Sequence, residues 1–395
     1  MIATMMMTAH IDPVPPAKGS AIPRDRDSTL PGVIALTLTA PLAYEANPGI
    51  VQGVAPRGTT GLRVLADGHS VRVLRLTSGR RAFLVGPIGL PPRDLTLTVE
   101  ALAGSRVLAT AKVDHVFGLP AAAAAVAPPH SIDGAVQHSV AGLPAQTGVT
   151  SAAWIRDLST GRTASYNAGA HFPAASTLKL GILLGVLARD DADPLRSSAW
   201  SLERSLVLNS SNLAANQLLR RAGGPAAVDA LIQALGTTGT FTCCDYLLEP
   251  GEGARSAKRE RRLPLPPATI VDQPTFPCCK YTTAHDLGTL LVSLMLASTG
   301  HGPALRHGIT AREARVALWL LIHTGYPGLV RPSSAFPVGH KAGWLPDMQH
   351  DAALVFAPRG TLVAVFMNYS PAGVSYARVR AAAATVVRLA LRRRG

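Results

Sequence analysis

Residues 120–131, PAAAAAVAPPHS, do more than any other stretch to limit how this chain can fold. Small side chains and prolines in a row build neither a core helix nor a core strand, so the stretch predicts a linker. At 395 residues the chain is also too long for one ordinary core. The textures on the two sides differ. Val33 to Phe117 alternates short Val/Leu/Thr runs with turn signals at about ten-residue spacing, among them LRVLADGHSVRVLRL with an Asp67-Gly68 hairpin turn. That pattern predicts a small all-β sandwich. After the linker, VTSAAWIRDL and RTASYN predict a hairpin, and helical patterns follow over 176–189, 212–221, 282–298 and 310–324. The chain then returns to strands in PVGHKAGW, HDAALVFA and TLVAVFMNY, and a last helix spans Ser375 to Arg393. Strands, a helical block, strands and a closing helix predict an α+β domain whose first and last strands share an antiparallel sheet. The expected units are a disordered segment over 1–31, the sandwich over 32–119, the linker over 120–135 and the α+β domain over 136–395.

Net charge is +14, and only six of the 38 basic residues are lysines. Such a surface attracts anions in general, but no nucleic-acid-binding motif accompanies it, so no nucleic-acid partner is expected. No run of about 18 apolar residues occurs, so no transmembrane segment is expected. The N-terminus lacks a charged region followed by an apolar one, and GVIALTLTAPLAYEA reads as a strand rather than a displaced signal. The cysteines form two adjacent pairs, Cys243-Cys244 and Cys278-Cys279. This is not a zinc spacing, so neither metal nor cofactor is expected. The pairs bracket a Pro- and Arg-rich segment, which fits disulfide clamps in an oxidising compartment, with free buried thiols as the alternative.

The chemistry concentrates in FPAASTLKL, residues 172–180. On a helix Ser176 and Lys179 share a face. The hydroxyl then meets unpaired amides at the positive end of the helix dipole. The apolar run around the lysine would strip water from its ammonium and lower its pKa toward neutrality, making a base for Ser176. In LNSSNLAANQLL, residues 208–219, Ser210, Ser211 or Asn212 can cap a helix, and a hydroxyl beside the lysine can relay a proton. In His340-Lys341-Ala342-Gly343-Trp344, a glycine inside a strand marks a close approach by another backbone or a ligand.

The ordered set S-x-x-K, S-x-N and K-x-G resembles that of the penicillin-recognising serine enzymes, and its surroundings are most similar to class A β-lactamases. The likeness covers about residues 136–395; the sandwich resembles immunoglobulin-like modules by texture alone. The resemblance implies Ser176 as the acylated nucleophile, Lys179 as its base or proton shuttle and Ser210 as a relay. It implies Asn212 bonding substrate or Lys179, and Lys341 as a second cation facing a substrate carboxylate. With Ala342 and Gly343 this strand would line the substrate, and the amides of Ser176 and Trp344 would form an oxyanion hole. Three departures accompany the likeness. Ala342 replaces a hydroxyl, only 34 positions separate Ser176 from Ser210, and the deacylating glutamate has no clean match. Glu249 and Glu252 are the stand-ins. The implied activity is hydrolysis of β-lactam or related cyclic amides through an acyl-enzyme, as in antibiotic resistance. The alternatives are a D,D-peptidase-like wall enzyme with slow deacylation and a non-catalytic envelope-binding protein. A peptidoglycan-derived substrate, an anionic wall polymer as partner, a monomeric state and a secreted, periplasmic or envelope location complete the expectations.

Overall fold

The computed structural model describes residues 35–76, 81–190, 193–246, 270–276 and 279–392. The expected disorder of 1–31 therefore lies outside the described residues. The N-terminal unit contains β1 (Thr37–Ala40), β2 (Ala46–Asn47), β3 (Val51–Val54), β4 (Gly61–Ala66), β5 (His69–Arg75), β6 (Ala82–Val85), β7 (Asp94–Ala103) and β8 (Arg106–Gly118). They form a three-stranded sheet, β1-β3-β6, and a five-stranded one, β2-β8-β7-β4-β5. Alternate side chains, Leu95, Leu97, Val99 and Ala101 on β7 and Leu62, Val64 and Ala66 on β4, point into one shared core. Asp67 and Gly68 both take positive φ, 48° and 81°, and close β4 onto β5 as the sequence predicts.

The second unit contains β9 (Ser131–Ile132), α1 (Gly134–Ala141), α2 (Leu143–Thr147), β10 (Thr150–Asp157), β11 (Arg162–Tyr166) and β12 (Phe172–Pro173). Its helical block follows with α3 (Lys179–Leu187), α4 (Trp200–Leu208), α5 (Asn212–Arg221), α6 (Pro225–Ala234), β13 (Tyr281–Thr282), α7 (Ala284–Ser298), α8 (Pro303–Arg306) and α9 (Ala311–Ile322). It ends with β14 (Val338–Leu345), β15 (Met348–Ala357), β16 (Gly360–Tyr369) and α10 (Tyr376–Arg392). The main sheet runs β14-β15-β16-β10-β11-β9, with β10 antiparallel to β16. First and last strands thus meet as expected. Both sheet faces are covered, which explains why β16 is buried throughout. Val363, Val365 and Met367 face the helical block, while Leu362, Ala364 and Phe366 face α1 and α10.

The Ala/Pro stretch is not the open spacer its composition suggests. Ala121–Ala124 form a 3-10 turn, Ala123 is buried, and the Ala127 amide donates to the Leu158 carbonyl at 2.6 Å. The two units also share a buried ionic contact. Glu45 is fully buried and accepts from Arg312 at 2.9 Å and Arg315 at 2.7 Å, both on α9. Tyr44 packs edge-on against Trp319, with ring centroids 5.0 Å apart. No helix among the described residues is long and apolar enough to cross a membrane.

Candidate active site

The segment before Ser176 is fixed from two sides. β12 pairs with β13, and buried His350 donates from Nε2 to the Pro173 carbonyl at 2.9 Å while its Nδ1 accepts the Asn368 amide at 3.1 Å. Burial pushes the His350 pKa down to about 4, so the ring stays neutral and keeps that tautomer. Ala175 then turns with φ 44°, a conformation rare without glycine. Where the sequence predicts a helix from 176 to 189, the chain opens with a 3-10 turn over Ala175–Leu178 before α3 takes over. The 3-10 turn sets residues i and i+3 directly in line, and Lys179 Nζ lies 3.1 Å from Ser176 Oγ.

Every residue of α3 is buried, including Lys179 at 1% exposure. Its amine also lies 2.5 Å from the Ser210 carbonyl, 2.7 Å from Asn212 Oδ1 and 3.4 Å from Ser210 Oγ. Of the three candidate caps for α5, Ser211 takes the role, accepting from the Ala214 amide at 3.2 Å. Ser210 and Asn212 are thereby left to face the lysine. Ser210 takes φ 52°, again in the left-handed region.

Lys341 approaches from β14. Its Nζ donates to Ser210 Oγ at 2.9 Å and to the Ala342 carbonyl at 3.0 Å. Burial, followed by the Lys341 charge, lowers Lys179 from 10.5 to about 7. Burial likewise brings Lys341 to about 7, against an upward pull from Asp351. Burial pushes the Asp351 carboxyl up, but the His340 interaction and two backbone amides outweigh it and hold it below its usual range. His340 Nδ1 lies 2.7 Å from Asp351 Oδ1, while Asp351 Oδ2 accepts from the amides of Leu329 and Val330.

Gly343 explains how close β14 comes. A methyl group there would stand 3.0 Å from the Ser176 and Thr177 amide nitrogens. The strand therefore abuts the 3-10 turn, with the exposed Trp344 next along it. Ser176, Lys179, Ser210, Asn212 and Lys341 are thus drawn from separate segments into one linked cluster. Such a cluster can move a proton from Ser176 to Lys179 and on through Ser210.

Several residues in this cluster escape sequence reasoning. Tyr246 donates from its hydroxyl to the Ala175 carbonyl at 2.9 Å, and its ring centroid lies 4.7 Å from Lys179 Nζ. Asn216, His350 and Asp351 likewise carry no motif signal of their own. A buried Asn on the apolar side of α5, four residues after Asn212, is the one local signal that could have pointed to Asn216. Glu249, Glu252 and Cys278 lie outside the described residues. Cys243 pairs with Cys279 in a disulfide, and Cys244 is a free thiol. Their three sulfurs lie within 4.8 Å of one another, but the disulfide removes two of the thiolates a metal would need.

An α+β domain that sets a serine–lysine pair against a lysine- and glycine-bearing edge strand has the architecture of the penicillin-recognising serine enzymes. The chain belongs to the β-lactamase enzyme family, whose model matches residues 135–200 and 187–393, well over half of its length. Among solved structures, a point mutant of PBP-A described as an acyl-enzyme complex with penicillin G is 18% identical, with a TM-score of 0.50. The match covers 68% of this chain and all of that one. A β-lactamase from Sphaerobacter thermophilus is 22% identical, also with a TM-score of 0.50, over 66% of this chain and 96% of that one. At such identities the likeness carries the fold. No curated protein matches the chain.

Proposed function

We propose that the protein is a serine hydrolase that opens β-lactam or related amide bonds through an acyl-enzyme on Ser176. One observation carries the reading. A neutral lysine amine has two N–H donors and one lone pair; with the Ser210 carbonyl and Asn212 Oδ1 taking the donors, the lone pair is left for the Ser176 hydroxyl at 3.1 Å. Lys179 takes the Ser176 proton as Oγ bonds the substrate carbonyl carbon. The C–N bond then breaks, and the proton returns through Ser210 to the leaving nitrogen. The developing oxyanion is held by the amides of Ser176 and Trp344, each donor being worth about 3 kcal/mol. Lys341 keeps Ser210 oriented and faces the substrate's anionic group. Ala342 supplies no hydroxyl there, which weakens the hold on a carboxylate by one hydrogen bond.

A second reading, a D,D-peptidase-like wall enzyme with slow deacylation, draws support from Tyr246, since among the described residues it is a phenol that packs on Lys179. In either case we read the N-terminal unit as an immunoglobulin-like module. It binds wall polymer together with the Arg-rich surface, on a monomer exported to the envelope, where the Cys243–Cys279 disulfide is stable.

Mass spectrometry after mixing with a fluorescent penicillin tests this. A label on Ser176 that forms and is released supports the lactamase, and a lasting label supports the peptidase. No label on Ser176, or one retained in S176A, overturns the acyl-enzyme.

A further inference from the structure

Tyr246 belongs to none of the motifs that carry the family likeness, yet it is held against the Ser176–Lys179 pair by several independent contacts. Its hydroxyl is tied to the Ala175 carbonyl, one residue before the nucleophile, and its ring faces Lys179 Nζ. Lys280 Nζ lies 4.9 Å from the same ring and donates to the Asp245 carbonyl at 2.6 Å. Asn216, 4% exposed, clamps the Tyr246 backbone from both sides. Its Oδ1 accepts the Tyr246 amide at 2.6 Å and its Nδ2 donates to the Tyr246 carbonyl at 2.7 Å. Three residues back, Cys243 is bonded to Cys279. The residue after Cys279 is Lys280, whose carbonyl accepts the Ala174 amide at 3.0 Å. A surface tyrosine would need none of these restraints.

The ring's position matters for the second half of the reaction. To hydrolyse an acylated Ser176, a water must pass its proton to Lys179 Nζ while its oxygen attacks the ester carbonyl. The amine's other neighbours are already protein atoms, namely Ser210 O, Asn212 Oδ1 and Ser176 Oγ. The Tyr246 ring packs against Nζ as well, its centroid 4.7 Å away. The hydroxyl cannot substitute as a base, because its proton is engaged with the Ala175 carbonyl.

We propose that Tyr246 is a positioning residue that sets the lifetime of the acyl group on Ser176 by closing, with its ring, the approach through which water reaches the ester beside Lys179. The inference rests on the acyl-enzyme reading above. Acylation, in which the proton travels from Ser176 to Lys179 and Ser210, does not pass Tyr246. Hydrolysis does: the water oxygen bonds the acyl carbon, its proton goes to Lys179, the C–Oγ bond breaks and Oγ takes the proton back.

The test uses the full chain as wild type, Y246F and Y246A, with folding followed by thermal melting. Each is acylated with a fluorescent penicillin, the burst is timed, excess reagent is removed, and loss of mass from Ser176 is followed. Wild type should keep its label. Y246A should release it at least about ten-fold faster, with an acylation rate within about three-fold of wild type, because a general base regains access to water. Y246F should fall between them, since the ring remains but its tether is lost. Equal release rates overturn the proposal and leave the acyl-enzyme standing. Acylation and release falling together in Y246A also overturn it, because that is what a merely structural role predicts. Should Y246A not fold, Y246F decides, and release no faster than wild type overturns the idea. Absence of label from wild-type Ser176 overturns the acyl-enzyme reading and this inference with it.

Discussion

Replacing Lys341 with methionine tests whether the second lysine acts on the first. Both amines reach Ser210 Oγ, Lys179 at 3.4 Å and Lys341 at 2.9 Å, so they stand at most about 6 Å apart. At that separation and an effective dielectric constant of about 20, two unit charges repel by about 3 kcal/mol, or roughly two pKa units. Acylation needs neutral Lys179, whose fraction rises with pH and levels off above the pKa. The wild-type acylation rate should therefore climb through an inflection near pH 7. In K341M the repulsion is gone, Lys179 holds its proton more tightly, and the inflection moves up by as much as about two units. Lys341 is itself brought to about 7, so its charge is only partly present there and the observed displacement falls short of that maximum. The assay is the second-order rate of labelling by a fluorescent penicillin from about pH 5.5 to 9.5. Plateau height is a separate matter, because Lys341 also orients Ser210 and faces the substrate; the position of the inflection is what reports on charge. An inflection that stays in place or moves down refutes the repulsion, and a flat wild-type profile refutes Lys179 as the base.

G343A places a methyl 3.0 Å from the Ser176 and Thr177 amides, so β14 must back away by a few tenths of an ångström. Acylation should slow about ten-fold through lost alignment, while urea unfolding shows a stability change of about 1 kcal/mol or less. Glu203, 1% exposed, is raised from 4.5 to about 7, first by burial and then by Asp190 and Glu313. The folded chain keeps this proton where the unfolded chain has lost it, so Glu203 costs stability increasingly as pH rises from 4.5 to about 7 and a constant amount above. E203Q should accordingly gain up to about 3 kcal/mol at pH 8 and nearly nothing at pH 4.5 in matched melts; an equal gain at both contradicts the assignment. E45A leaves the buried Arg315 guanidinium without its carboxylate, a loss of about 3 kcal/mol visible as a lower melting temperature.

What the sequence made legible was local. The 212–221 helix, the Asp67-Gly68 turn and the serine–lysine spacing each depend on residues a few positions apart, and side-chain periodicity or turn chemistry reports them directly. Ser210 and Asn212 stand in one short motif and Lys341 in another, but only the chain's path brings them together around Lys179. Tyr246 had no such signal. Its role depends on Asn216 thirty residues earlier and on a disulfide whose two cysteines lie 36 positions apart, and no window of sequence holds these together. The alanine-rich stretch misled for a related reason. Composition predicts a spacer, yet Ala123 is small enough to be buried where the two units meet. The basic surplus likewise concealed that Arg315 is spent internally on Glu45, through a contact spanning 270 positions.

Two left-handed residues beside the serine and the lysine, Ala175 and Ser210, show why this cluster depends on its surroundings. Non-glycine residues there cost on the order of 1 kcal/mol or more each, and both Ala175 and Ser210 flank the proposed nucleophile and base. At Ser210 the conformation does something an ordinary one would not. It lets the carbonyl reach Lys179 at 2.5 Å while the hydroxyl of the same residue reaches Lys341 at 2.9 Å, so one residue holds both amines. At Ala175 the turned carbonyl receives the Tyr246 hydroxyl. Below about pH 7, two lysines lowered from 10.5 to about 7 add a charging penalty of about 5 kcal/mol each, which fades as pH rises toward 10.5. None of these terms favours folding, so the fully buried α3, the His350 bridge and the Asn216 clamp must offset them. Loosening α3 or the His350 bridge should therefore relax the site before it unfolds the domain, and acylation rate should fall ahead of melting temperature.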